Sequence, residues 1–111
     1  MSIVSEKNVS DALAYLAIDP HPIALARKDL TDAENAAKNA HAVAFLESKG
    51  TSADARKADA ECSQEYIEAK GDEASALLDL ERHKARVKAA EMLIEVWRSE
   101  NANVRAAERV R

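Results

Sequence analysis

The chain has 111 residues, room for one domain, and its hydrophobic fraction of 47% includes only 4% aromatic residues. Two glycines, two prolines and a 32% charged fraction rich in Ala, Glu, Lys and Arg favour long helices over strands. No apolar run approaches the roughly 18 residues of a membrane span, which excludes a transmembrane helix.

The first element is expected over about residues 6–18, with Ser5 as its N-cap and Val9, Leu13 and Leu16 at helical spacing. Glu6, Lys7 and Asp11 break up this start, so it does not read as a signal peptide. Pro20 ends the helix, and Asp19-Pro20-His21-Pro22 forms a turn. Pro22 suits the first position of a second helix, expected to run to about Ser48. Its apolar stripe is mostly small, comprising Ala26, Leu30, Ala33, Ala37, Ala40 and Ala44 beside Val43 and Leu46. Small side chains let helix axes come close, so this face calls for a near neighbour.

Gly50 is a C-cap candidate, and Thr51 with Asp54 resembles a capping box that starts a short helix over about 53–61. Ser63 then caps a last helix in which Gly71 is the one weak point. Tyr66, Ala69, Ala76, Leu80, Val87, Ala90, Ile94, Trp97 and Val104 alternate three- and four-residue steps. Glu73, His83 and Asn101 interrupt that seam, and Leu77 and Leu93 widen it. The expected fold is therefore all-α: a single domain over 1–111, with an N-terminal helix in 1–19, an Ala-rich helix in 22–48 and returning helices in 52–111. The result is a helical hairpin with a long, coiled-coil-like C-terminal helix, assembled into an oligomeric bundle.

The second helix would span roughly 39 Å and the last roughly 70 Å at about 1.5 Å per residue. Antiparallel pairing therefore runs out near Val87 to Ala90, short of the largest apolar residues. Those must be covered by the N-terminal helix folding back or by a second chain, and a helix of about 12 residues looks too small to cover them all. This points to a homodimer or higher oligomer with Leu80, Val87, Met92, Leu93, Ile94 and Trp97 at its interface.

Residue types that carry chemistry are sparse. His21, His41 and His83 lie far apart, and none follows a Glu by three residues, so di-iron and His-Glu-x-x-His patterns are missing. His83 reads as a partly buried histidine four residues after Asp79. Cys62 has no nearby histidine and no disulfide partner, which suits a reducing cytoplasm. No cofactor, metal or catalytic residue is expected, and the chain does not read as an enzyme.

Charge is uneven. Residues 1–81 carry 8 basic and 16 acidic side chains, a balance of −8, whereas residues 82–111 carry 8 and 4, a balance of +4. Arg82, Lys84, Arg86 and Lys88 flank both edges of the apolar seam, where interhelical ion pairs sit in coiled coils. Asp29, Asp32 and Glu34 would be partners in an antiparallel hairpin. The alternative is salt-sensitive DNA binding through Arg82, Arg86, Arg98, Arg105 and Arg109.

Leu80-Glu81-Arg82-His83-Lys84-Ala85-Arg86, then Ala90 to Ser99 and Asn101-Ala102-Asn103, resembles a group of small helical proteins of tailed bacteriophages. The likeness covers about the last half of the chain, with an echo in Arg56-Lys57-Ala58 and Ser63-Gln64-Glu65-Tyr66, and the Pro20/Pro22 turn departs from it. Those proteins mostly have no assigned activity, and some lie among recombination and replication genes. The resemblance implies a phage accessory protein in the bacterial cytoplasm that binds a phage or host protein of DNA metabolism. Two further alternatives are inhibition of a host defence complex through acidic residues such as Asp54, Asp59, Glu61, Glu65 and Glu68, and a role in the virion.

Overall fold

The computed structural model describes residues 4–110. Among them are four helices and no strand: α1 (Glu6–Leu16), α2 (Pro22–Glu47), α3 (Ala53–Glu61) and α4 (Gln64–Val110). The all-α class and the long C-terminal helix are therefore present. No helix of the described residues is long and apolar enough to cross a membrane. The chain divides into two compact units, one made of Met1–Pro22 with Arg82–Arg111 and the other of Ile23–Glu81.

In the first unit, α1 begins where expected. The Ser5 hydroxyl accepts from the Asn8 N–H at 3.1 Å and satisfies a donor that the first turn leaves open. Val4 and Val9 hold the two positions of a hydrophobic staple around that cap, and both are buried. The helix stops at Leu16, two residues early: the Ala17 N–H still makes the helical bond to the Leu13 carbonyl, and the Ile18 N–H closes the end with a tighter bond to the Tyr15 carbonyl at 3.3 Å. Ala12, Tyr15 and Ala90 form the core here, with Leu16, Val87, Leu93 and Ile94 packed around them. The N-terminal helix thus does fold back onto α4.

The second unit holds α2, α3 and the start of α4 through small residues. Ala26, Ala37 and Ala60 are buried, and Ala60 has no exposed surface. Between α2 and α3 the backbone is held by side chains. Ser48 Oγ donates to Asp59 Oδ2 at 2.5 Å and accepts from the Gly50 N–H at 3.1 Å, while Arg56 Nε donates to the Gly50 carbonyl at 3.0 Å. Gly50 has no positive φ and so is not a left-handed C-cap; its use is room, since a Cβ there would lie 3.0 Å from Ala55 Cβ. The cap of α3 is Ser52, one residue beyond the expected Thr51, with its hydroxyl accepting from the Ala55 N–H at 3.1 Å. Ser63 caps α4 as expected, accepting from the Tyr66 N–H at 3.3 Å. Gly71 lies inside α4 with open space around it.

Candidate interaction surface

Past residue 81, the C-terminal half of α4 carries apolar side chains on two sides. On the first, α1 lies against Val87, Ala90, Leu93 and Ile94. Tyr15 fastens it: the residue is 6% exposed, the Arg86 guanidinium sits 4.0 Å from its ring centroid, and His21 meets it edge-on at 4.8 Å. A guanidinium over a ring face is attracted by the ring quadrupole, so Arg86 is engaged within its own unit. Among the described residues the Tyr15 hydroxyl, itself buried, finds no hydrogen-bond partner.

The second side is bare. Ala85, Ala89, Met92 and Val96 fall within about 60° of arc at 3.6 residues per turn, with Met92 and Val96 turned away from α1 and Ala89 at the rim of a hollow it shares with Asn8, Asp11, Ala12 and Tyr15. All four are exposed, Met92 to 57% and Val96 to 40%. Lys88 and Glu95 flank this stripe on one edge, and both are exposed. Glu95 holds Arg98 at 3.3 Å on its own helix. Two apolar stripes on two sides of one helix mean that one neighbour cannot cover both.

Beyond Trp97 the covered seam also opens. Trp97, Glu100 and Asn101 are half-buried, and every described residue from Ala102 onward is exposed. Trp97, Asn101, Val104, Arg105 and Glu108 line a shallow hollow along that face. Arg105 Nε donates back to the Asn101 carbonyl at 3.4 Å, and Arg109 is exposed.

The expected interface residues thus separate. Leu80 is 5% exposed and belongs to the core of its own chain, and Val87, Leu93 and Ile94 are in use against α1. Met92 and Trp97 retain free surface. The basic set also separates: Arg86 serves Tyr15, whereas Arg98, Arg105 and Arg109 are exposed and share one face of α4, Arg98 with an exposed contact to Glu95. Asp32, considered as a partner for the basic cluster, pairs with Lys28 on its own helix at 2.7 Å.

The outer stripe does not stand out in the sequence, where its signal is the spacing 85, 89, 92, 96. Two of its four members are alanines, which fit any helix face and so carry little periodic information.

In the Ile23–Glu81 unit, a cleft between α2 and α4 is lined by Glu34, Lys38, His41, Tyr66, Lys70 and Glu73. His41 and Tyr66 meet edge to face at 5.1 Å, and Lys70 Nζ lies 2.7 Å from Glu73 Oε2. The Lys70 ammonium at this distance satisfies that buried oxygen. The Glu73 side chain, by hydrogen bonding and then by its charge, holds Lys70 above the ordinary lysine pKa. The cleft largely neutralises its own charges. Cys62, at the end of α3, is exposed, and the described residues bring no three His, Cys, Asp or Glu side chains into a metal-binding group.

No family model matches this chain, and no curated protein or solved structure matches it.

Proposed function

We propose that the chain is a non-catalytic, self-associating accessory protein that acts by binding other proteins through the C-terminal half of α4. The observation that carries this reading is the bare apolar surface there. Met92 and Val96 are 57% and 40% exposed on a helix that the 11-residue α1, among the described helices of its unit, covers on its other side. Contiguous apolar surface of this kind marks interfaces more often than it marks anything else. A phage setting in the bacterial cytoplasm, with a partner from the recombination or replication machinery, rests only on the resemblance carried by residues 80–103 and its echo in residues 56–58 and 63–66.

Direct DNA binding is the competing reading, and the engagement of Arg86 with Tyr15 weighs against it. Two measurements on the intact chain separate them: its mass by sedimentation, and the anisotropy of a labelled single-stranded oligonucleotide at about 50 and 200 mM salt. The reading expects at least a dimer and no oligonucleotide binding at the lower salt. A monomer would overturn self-association. Binding that collapses at the higher salt would put DNA contact first.

A further inference from the structure

We infer that the outer stripe of α4 is the seat of a second copy of the chain, docked antiparallel with the two-fold axis level with residues 90–91. The inference rests on the self-association proposed above and assigns it a face, an orientation and a register.

The face follows from what is already covered. The seam through Val87, Ala90 and Ile94 is occupied by α1, so a second chain cannot use it without displacing Tyr15. Ala85, Met92 and Val96 need no displacement, and Ala89, at the rim of the hollow beside α1, keeps exposed surface. Their steps of four, three and four residues are those of a helix–helix seam.

The orientation follows from size. Antiparallel about residues 90–91, Ala85 faces Val96 of the second copy and Ala89 faces its Met92, with the same two pairs repeated by symmetry. Each small side chain then meets a larger one, and the axes can close to the 8–10 Å typical of packed helices. A parallel pair would set alanine on alanine and methionine on methionine, leaving gaps at two levels and crowding at a third.

Charge fixes the register. In this arrangement Lys88 comes opposite Glu95 of the second copy, and Glu95 opposite its Lys88. Lys88 is exposed, and Glu95 has only its exposed contact to Arg98 to exchange. Sliding by one heptad in either direction puts Glu95 against Glu95 or Lys88 against Lys88. The parallel alternative puts Glu95 against Glu100. Only the register centred on 90–91 joins opposite charges along this edge without a like-charge clash.

The test uses the intact chain with Cys62→Ser as background, because Cys62 is exposed. Chains carrying Ala85→Cys and Val96→Cys are treated with a short thiol cross-linker, separately and mixed. Strong cross-linking only in the mixture is expected; cross-linking within either variant alone would overturn the orientation. In parallel, Met92→Glu is expected to weaken dimerisation on the order of 100-fold while leaving helical content and melting of the monomer unchanged, since Met92 is exposed there. Lys88→Glu should weaken it about tenfold, and adding Glu95→Lys in the same chain should restore it. A dimer indifferent to Met92→Glu would overturn the inference and leave self-association standing. A monomeric parent chain would overturn both.

Discussion

In the Ile23–Glu81 unit, three of the buried positions are alanines, Ala26, Ala37 and Ala60, spread over two helices. In the other unit, cohesion gathers at Tyr15, which touches the core alanines, Arg86 and His21 at once. Alanines hold helices together by letting backbones approach, so each position contributes modestly and the loss of one is tolerated. An aromatic ring contributes through area and through its quadrupole, so one position carries much of the attachment of α1. The two units should therefore differ in how they fail: one by degrees, the other at a single residue.

The sharpest way to break that comparison is Tyr15→Ala. Truncating a buried aromatic side chain costs about 3–5 kcal/mol, and hydrogen exchange should show α1 losing protection well before α2. Equal loss in both units would refute the single-clasp account. Next in size is Gly50→Ala, which pushes a methyl group to 3.0 Å from Ala55 Cβ and 3.1 Å from the Arg56 backbone nitrogen. A loss of about 1–3 kcal/mol in urea denaturation is expected. Gly71→Ala should act in the opposite direction within the same unit, because its site is open and helical. A gain of up to about 1 kcal/mol is expected, and a lower melting temperature would contradict the open site. Smallest is Tyr15→Phe. It keeps the ring under Arg86 and removes a buried hydroxyl without a partner among the described residues, so stability should hold or rise slightly.

Much of this architecture is legible in the sequence because its punctuation is local. Ser5 and Ser63 cap helices through bonds to residues three positions on, and Pro22 opens α2 from inside the turn. Thr51 is the expected cap of α3 and Ser52 takes its place, since adjacent hydroxyls offer the same chemistry and only the backbone path decides which reaches an N–H. The interface was less readable for a different reason. Length arithmetic on α2 and α4 identifies surface that needs cover, but not which segment supplies it. Once α1 takes Val87, Leu93 and Ile94, the free apolar side of α4 is the one with the weaker periodicity.

Trp97 is the one tryptophan in the chain, and it lies half-buried in the unit that contains α1, just where cover along α4 gives out. The molecule therefore comes with an optical gauge confined to one half of itself. Indole emission will report on the half of α4 that holds Trp97, while the Ile23–Glu81 unit, with Tyr66 as its aromatic hydroxyl, stays dark at excitation wavelengths that select tryptophan.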